Sequence, residues 1–117
     1  MTRSNLHITL SNGKKLICVA DSSSAPEQGY IVERLIRPLL ALDSPGEEIE
    51  LLCEHCTMDE RRCNAYYRYY INLQDKSVQF FEENFSYKTE RFRRGADLTK
   101  RYTEYVERLK NSHGNDQ

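Results

Sequence analysis

The sequence predicts a single α+β domain in which two amphipathic helices pack on an antiparallel sheet of about five strands, with the element order ββαβββα. Apolar residues alternate on both sides of the turn pair Asn12-Gly13, which is typical of a β-hairpin. Aromatic and apolar residues alternate again between residues 65 and 85. Residues 98–110 carry apolar side chains at helical spacing instead, which indicates that a helix follows the sheet.

The size and composition of the chain favour one folded domain. The 117 residues are enough for one hydrophobic core, so residues 1–117 are interpreted as a single domain with an ordered core over residues 5–110 and a flexible tail at 111–117. A net charge of −1 provides no general attraction to nucleic acid or to an anionic membrane. No apolar segment has the length of a leader or a membrane span, so we expect a soluble cytoplasmic protein with four reduced cysteines.

The first predicted hairpin has Asn12 and Gly13 as a two-residue type I′ loop, because both residue types tolerate the positive φ that this turn requires. In this register His7 lies opposite Cys18 on the face of the hairpin that is turned away from the core. The predicted core face carries the paired apolar residues of both strands, Leu6 with Val19 and Ile8 with Ile17.

A helix is predicted after the first hairpin. Ser24 and Glu27 match a capping box, so the helix is expected to begin there. Apolar residues recur at helical spacing over residues 31–40. Pro38 is expected to kink or end the helix near Arg37, because proline has no backbone N–H to continue the hydrogen-bond ladder.

The next predicted element is a strand at residues 48–53, after a turn at 43–46. This part of the chain is acidic, with seven Asp and Glu residues and no Lys or Arg between residues 43 and 60. Residues 86–110 have the opposite balance, with eight basic and four acidic residues. The sequence therefore predicts a dipolar molecule that can associate with a charged partner or with a second copy of itself.

The second predicted hairpin turns at Asp75-Lys76 and places aromatic residues on both faces of the sheet. Its core face is predicted to carry six alternating residues: Tyr67, Tyr69, Ile71, Leu73, Val78 and Phe80. The other face pairs Tyr70 with Phe81, Arg68 with Glu83 and Tyr66 with Phe85. This half-exposed aromatic and cationic face is the first candidate binding surface, with Tyr66, Arg68, Tyr70 and Phe81 as its binding residues.

A basic cluster before the last helix extends the candidate surface. Arg91, Arg93 and Arg94 follow Lys88 in a segment that is interpreted as a loop. Clustered arginines bind anionic groups on a partner, so these three residues join the candidate binding set.

The cysteines provide a second candidate site. Cys53 and Cys56 form a C-x2-C pair, and Cys63 follows seven residues later, so these three thiols are candidate zinc ligands. The fourth ligand would come from Cys18, His7 or His113. A redox-active C-x2-C motif requires a helix that begins after the motif, whereas a polar loop follows here.

The sequence favours a non-enzymatic interaction or accessory module that binds another protein or a second copy of itself. It contains no nucleophile elbow, no glycine-rich phosphate loop and no metalloprotease histidine pair. Nucleic acid is a second candidate partner, although Glu82 and Glu83 would repel phosphates. No cofactor is expected; the alternatives are a structural-zinc protein that uses the three cysteines and a thiol redox protein.

Overall fold

The computed structural model describes residues 2–115, with side chains described for residues 2–111. The strands are β1 (Ser4–Thr9), β2 (Lys15–Ala20), β3 (Thr57–Met58), β4 (Tyr67–Asn72), β5 (Ser77–Ser86) and β6 (Arg91–Asp97). The helices are α1 (Arg37–Leu40), α2 (Pro45–His55) and α3 (Thr99–Asn115). A 3₁₀ turn (Pro26–Gln28) and a π-helical segment (Ile31–Ile36) precede α1.

All six strands of the described chain form one sheet in the order β3-β2-β1-β4-β5-β6. Neighbouring strands are antiparallel except β1 and β4, which are parallel. The predicted α+β class is confirmed, and the sheet is mostly antiparallel as expected. The predicted element order is wrong in detail, because the sheet has six strands, three helices are present, and a long crossover joins the parallel pair.

One core lies between the helices and one face of the sheet. Its cluster joins Leu6 and Tyr69 from the sheet with Leu35, Leu52 and Tyr102 from the helical segments. The largest fully buried side chains are Tyr69, Phe80, Leu6, Ile8, Leu10, Ile31, Leu35, Ile36, Leu39, Leu52, Ile71 and Leu73. Within residues 2–115 no helix packs on the opposite face. We call it the open face; it carries Asn5, His7, Ile17, Val19, Arg68, Tyr70, Gln79, Phe81 and Glu83.

The first hairpin turns through a three-residue loop, residues 11–13, where the sequence predicts a two-residue loop. The Leu10 N–H donates to the Lys14 carbonyl at 2.8 Å, which closes the loop one residue earlier than expected. Gly13 has φ +88°, in the left-handed region that glycine adopts without a steric cost. A three-residue hairpin loop with glycine at this position is a common alternative to the type I′ turn.

The longer loop changes the register of β2 by one residue. Leu6 therefore lies opposite Cys18, not opposite the predicted Val19. Because a shift of one residue exchanges the two faces of a strand, the predicted placement of Ile17 and Val19 on the core face is wrong. The core face of β2 instead carries Leu16, Cys18 and Ala20.

The second hairpin differs from its prediction by two residues, through a four-residue loop at 73–76. Tyr70 lies opposite Gln79 and not opposite Phe81. A shift of two residues leaves every side chain on its original face. The predicted core face is therefore confirmed, since all six of its residues belong to the core cluster or pack against it: Tyr67, Tyr69, Ile71, Leu73, Val78 and Phe80.

The predicted strand at residues 48–53 is wrong, because this segment belongs to helix α2. Pro45 occupies the first turn, where its missing N–H leaves no hydrogen bond unmade, and Glu47 complements the positive end of the helix dipole. Ile49 and Leu52 are three residues apart, so they lie on the same side of the helix and both contact the core.

The 3₁₀ turn at Pro26–Gln28, which opens the predicted first helix, begins one residue later than the capping box predicts. Ser24 does not cap it; the Ala25 N–H donates to Gln28 Oε1 at 2.9 Å instead. Gly29 has φ +75° and ends this short 3₁₀ turn before the next helical segment begins. The predicted continuous helix is therefore divided into separate helical segments.

The expected irregularity near Pro38 is a change of helix type. The chain passes from the π-helical segment to α1 at Arg37, and Pro38 occupies the first turn of α1. At that position a proline is tolerated, so the helix continues to Leu40 rather than ending at Arg37.

Helix α3 is confirmed, and Asp97 accepts a hydrogen bond from the Thr99 N–H at 2.9 Å at its start. Buried Tyr102 joins this helix to the core. The helix continues to Asn115 through part of the predicted tail at 111–117, of which residues 116–117 lie outside the described chain. No helix within residues 2–115 has the length and apolar composition that crossing a membrane requires.

Strand β6 was expected to be a loop because of its arginines. It pairs with β5 at the edge of the sheet, where Phe85 lies opposite Phe92. Charged residues are common on edge strands, since they discourage unwanted pairing with other chains. Because most of its side chains are charged, this strand lacks the apolar alternation by which strands are predicted from sequence.

Candidate functional site

A segment between β3 and β4 crosses part of the open face, and we call residues 59–65 the strap. The Asp59 N–H donates to the Ile17 carbonyl at 2.9 Å, which fixes the start of the strap beside β2. Asn5 holds its middle: Asn5 Nδ2 donates to the Arg62 carbonyl at 3.0 Å, and the Arg62 N–H donates to Asn5 Oδ1 at 2.8 Å. One half of the open face is thereby covered by irregular backbone rather than by a helix.

An ion pair between Arg68 and Glu83 lies in the covered half. Arg68 Nε donates to Glu83 Oε1 at 3.0 Å, and the side chains are only 8% and 0% exposed. Asn5 Nδ2 donates to Glu83 Oε2 at 2.9 Å, and Arg61 Nη2 lies 3.9 Å from the same oxygen. The carboxylate of Glu83 is therefore neutralised and hydrogen-bonded within the protein.

Two of the three contacts predicted between the strands of the second hairpin exist, although the register differs: Arg68 with Glu83 and Tyr70 with Phe81. Phe85 lies opposite Phe92 of β6 and not opposite the predicted Tyr66. Arg68 reaches Glu83 diagonally because its direct partner is Phe81. The rings of Tyr70 and Phe81 also meet diagonally, with centroids 5.7 Å apart in an edge-on arrangement. Diagonal neighbours of this kind are within reach of long and aromatic side chains.

The predicted half-exposed surface is buried at two of its four residues. Arg68 is 6% exposed and Phe81 is 4% exposed. The guanidinium of Arg94 stacks over the Phe81 ring at 4.5 Å and helps to cover it. Tyr70 is half-buried, and its hydroxyl accepts a hydrogen bond from Arg68 Nη1 at 2.9 Å. Tyr66 is 60% exposed. Arg68 and Phe81 are therefore support for the surface and not part of it.

The end of the β5–β6 hairpin leaves the body of the sheet, and we call residues 84–94 the arginine arm. The last contact of β5 with the neighbouring segment is the hydrogen bond from the Glu83 N–H to the Tyr66 carbonyl, at 3.0 Å. Beyond it, β5 pairs only with β6, as in the pair Asn84 and Arg93. The sheet therefore continues as a two-stranded ribbon.

Aromatic side chains stiffen this ribbon. The Phe85 ring lies 4.8 Å from Phe92 and 5.0 Å from Tyr87. Arg61 of the strap stacks over Phe92 at 3.9 Å, which ties the base of the arm to the rest of the molecule. Tyr87 remains 73% exposed at the turn.

The predicted basic residues are presented by the arginine arm. Arg91, Arg93 and Arg94 are exposed, and so is Lys88. None of these four makes a salt bridge with any residue that the structure describes. The structure thus brings the three predicted arginines together on one ribbon, separate from the buried Arg68.

His7 lies at the edge of the ion-pair network. Its ring centroid is 4.9 Å from that of Tyr70, and its Nε2 is buried without a hydrogen-bond partner among the described residues. The pKa of His7 is lowered from 6.5 to about 4, mainly by burial and then by the positive charges of Arg61 and Arg68, which outweigh the opposite effect of Glu83. His7 is therefore a neutral imidazole at neutral pH.

This depressed pKa makes the stability of the fold depend on pH. The unfolded chain binds a proton at His7 more readily than the folded chain does. The contribution of this residue to the free energy of unfolding therefore has its full value above pH 6.5 and decreases as the pH is lowered toward about 4. We expect His7→Gln to flatten this dependence, which urea unfolding at several pH values measures. A variant whose stability falls as steeply as that of the wild type contradicts the assignment.

The structure places the cysteines in two groups. Cys18 is buried in the core, and a hydrogen bond with Cys56, followed by burial, raises the pKa of its thiol. Cys53 is exposed in the last turn of α2, and Cys56 is the C-cap residue directly after the helix. Cys63 lies in the strap, where its Sγ accepts a hydrogen bond from the Tyr87 hydroxyl at 3.6 Å. The contact brings Cys18 next to one of the three predicted zinc ligands, Cys56.

The described residues contain no assembled zinc site of the kind that the cysteine spacing predicts. No group of three or more His, Cys, Asp or Glu side chains there is placed to hold a metal ion. Zinc binding by Cys53, Cys56 and Cys63 stays a prediction. The C-x2-C pair lies at the C-terminal end of α2, whereas the helix dipole favours a thiolate at the N-terminal end.

Two residues of the site were missed by sequence reasoning. Asn5 organises the strap and the ion pair, and the signal for it was a polar amide at a strand position on the face away from the core. Tyr87 is the most exposed aromatic residue of the described chain, and it lies within the basic segment that the sequence had already marked. The strap itself has no sequence signal, because its position depends on hydrogen bonds between distant residues.

The chain was compared with protein-family models, curated proteins and solved structures. No family model matches the chain, and no curated protein and no solved structure matches it either.

Proposed function

We propose that this protein is a non-enzymatic interaction module whose arginine arm docks on an acidic surface of a partner protein. The observation that carries the proposal is the two-stranded ribbon of residues 84–94, which leaves the sheet with its basic side chains exposed and without a salt bridge to any described residue. Exposed arginines beside tyrosines are typical of the residues that dominate protein interfaces.

Charge separation supports an acidic partner. The arm contains four basic residues and one acidic residue, so it carries a net charge of +3. Because the whole chain has a net charge of −1, the remaining residues together carry −4. A basic ribbon on an acidic body attracts a negative surface at the arm and repels it elsewhere, which orients the encounter.

Aromatic exposure supports a protein rather than a free anion as the partner. Tyr87 at the turn of the arm is 73% exposed, and Tyr66 at the start of β4 is 60% exposed. These are the two large hydrophobic residues of the described chain that remain exposed. Each offers an apolar ring together with a hydroxyl, which suits a partly polar protein interface.

Nucleic acid is the second candidate partner, and the side chains of the arm favour it. Its exposed arginines can bind phosphates, and its exposed Tyr87 can stack on an unpaired base, as in proteins that bind single-stranded nucleic acid. The repulsion expected from Glu83 is removed, since this carboxylate is buried and paired with Arg68. The acidic remainder of the chain opposes this partner, because phosphates dominate nucleic-acid binding.

A charge-reversal experiment tests the proposed function. The variant R91E/R93E/R94E is compared with the control K14E/K100E/K110E, which changes the net charge equally at exposed positions outside the arm. Fluorescence anisotropy at low salt measures the binding of a labelled polyglutamate peptide and of a single-stranded oligonucleotide. We expect the arm variant to bind the peptide at least ~10-fold more weakly than wild type, and the control to lose less.

Three outcomes contradict the proposal. Equal losses in the two variants indicate attraction to net charge alone. Tighter binding of the oligonucleotide than of the peptide assigns the arm to nucleic acid. Wild-type protein that binds neither probe removes the arm as a docking element.

A further inference from the structure

A groove of about 560 Å³ lies on the open face, at the end of the sheet opposite the arginine arm. Strands β1, β2, β4 and β5 and the turn after β4 supply its walls. The side chains that carry the argument are His7, Lys15, Tyr70, Asn72, Asp75 and Gln79. The volume is within the range of small-molecule sites, and neither the strap nor a described helix contributes a lining residue.

The floor of the groove offers a polarised hydroxyl. The Tyr70 oxygen accepts a hydrogen bond from Arg68 Nη1 at 2.9 Å, so its own proton is left to donate to another acceptor. Arg68 is buried and held by Glu83, which fixes the position of the tyrosine hydroxyl. No described residue accepts the Tyr70 proton.

The walls add further donors. The exposed ammonium of Lys15 has no hydrogen bond or ion pair with any described residue. Asn72 uses its Oδ1 to accept the Gln74 N–H at 2.9 Å, which leaves its NH₂ group to donate. The amide of Gln79 is also without a partner in the described chain. These groups are complementary to a ligand that is rich in acceptor oxygens.

The charges around the groove favour an anion. Lys15 contributes one positive charge at the rim. Burial is the main cause of the lowered pKa of His7, and the positive charges of Arg61 and Arg68 add to it against the opposite effect of Glu83. The one acid in the lining is Asp75, whose Oδ1 accepts hydrogen bonds from Ser77 N at 3.1 Å and Ser77 Oγ at 2.6 Å. Those bonds occupy one of the two carboxylate oxygens, Oδ1, within its own turn.

The aromatic floor adds a preference for a planar ligand. The centroids of the His7 and Tyr70 rings lie 4.9 Å apart and the rings are tilted by 33°, so they pack against each other as an aromatic pair beside the donors. A planar ring can pack against the parts of this pair that line the groove while its acceptor group meets Lys15 and the Tyr70 hydroxyl. A single exposed lysine suits the one charge of a carboxylate better than the two charges of a phosphate.

We propose that the groove between His7, Lys15 and Tyr70 binds a small aromatic carboxylate. The ring packs against the aromatic pair of His7 and Tyr70, and the carboxylate accepts hydrogen bonds from Lys15 Nζ and the Tyr70 hydroxyl. This site is independent of the arginine arm, so it goes beyond the proposed docking function and stands or fails separately from it.

Titration of full-length ¹⁵N-labelled protein with benzoate tests the proposal. We expect saturable chemical-shift changes at the amides of Tyr70, Asn72 and Gln79, with a Kd on the order of 1 mM for so small a probe. Lys15→Met is expected to weaken binding at least ~5-fold, because it removes the charged donor. Lys14→Met is the matched control, since Lys14 is exposed but does not line the groove.

Tyr70→Phe separates the hydroxyl from the ring, and neutral benzamide separates the charge from the shape. Benzoate is expected to bind the Tyr70→Phe variant more weakly than it binds the wild-type protein. Benzamide is also expected to bind the wild-type protein more weakly than benzoate does, and inorganic phosphate is expected to bind it more weakly still. Shift changes confined to residues 84–94 indicate adventitious binding to the arginine arm and overturn the proposal. An unsaturated response up to about 20 mM benzoate, or equal affinities of Lys15→Met and Lys14→Met, also overturns it.

Discussion

Arg68→Met is expected to lower the free energy of unfolding by about 3–5 kcal/mol, because it leaves the Glu83 carboxylate buried without its main partner. The Glu83 side chain has no exposed surface, and Arg68 donates to it through Nε at 3.0 Å. The remaining contacts with Asn5 at 2.9 Å and Arg61 at 3.9 Å cannot supply a second close charge. Urea unfolding at neutral pH measures the effect as a shift of the midpoint with an unchanged slope.

Arg62→Met is the matched control, since it removes an arginine from an exposed pair. The side chains of Arg62 and Glu60 are 38% and 46% exposed, so their ion pair is expected to contribute about 1 kcal/mol or less. The double variant R68M/E83L removes both buried charges and is expected to recover much of the lost stability. Equal losses for Arg68→Met and Arg62→Met contradict the burial of the pair.

Phe80→Ala is expected to cost about 3–5 kcal/mol of unfolding free energy, because it removes a fully buried ring from the centre of the core. The ring stacks on Tyr69 with centroids 4.6 Å apart and contacts Tyr67 at 4.8 Å. The backbone carbonyl of Phe80 also accepts the Leu98 N–H at 2.7 Å, which positions the start of α3. Urea unfolding measures this loss as well.

Phe85→Ala is the control for position along the same strand. Phe85 lies in the arginine arm, where it is only partly buried, so its removal is expected to cost about 1 kcal/mol or less. Hydrogen exchange adds an independent measurement, since amides of the arm are expected to exchange by local opening while those beside Phe80 require global unfolding. Similar costs for the two variants would mean that the arm belongs to the cooperative core.

The faces of β4 and β5 were predictable from the sequence, whereas the faces of β2 were not. Alternation determines which residues share a face, and a loop two residues longer than expected left that result unchanged around 73–76. The first loop is longer by one residue, which moved Val19 from the core face to the open face. The length of such a loop depends on backbone hydrogen bonds, including that of Leu10, which leave little trace in side-chain pattern.

Helix α2 shows how a short apolar pattern supports two interpretations. Glu48, Ile49, Glu50 and Leu51 alternate like a strand, yet Ile49 and Leu52 also have the spacing of a helix. The tertiary core decides between them, because Leu52 is fully buried beneath the sheet. The preceding Pro45 was the local signal that favoured the helix.

The contacts between side chains of the candidate site were predictable from the sequence, whereas the burial of Arg68 and Glu83 was not. The contact between Arg68 and Glu83 follows from their positions on one face of the hairpin. Their burial depends on the strap, which reaches them only because Asn5 bonds to Arg62, 57 residues away in the sequence. The exposure of Arg91 and Arg93 was more accessible to prediction, since charged side chains rarely lose their solvent.

The central position of β1 determines the order in which the chain can acquire its structure. β1 pairs locally with β2, but its other edge pairs with β4, whose first residue, Tyr67, lies opposite Ser4. During synthesis the β1–β2 hairpin therefore emerges long before the strand that completes its second edge. Closing so distant a contact is slow and leaves apolar edges unprotected in the interval, so the growing chain is most vulnerable to aggregation before β4 appears.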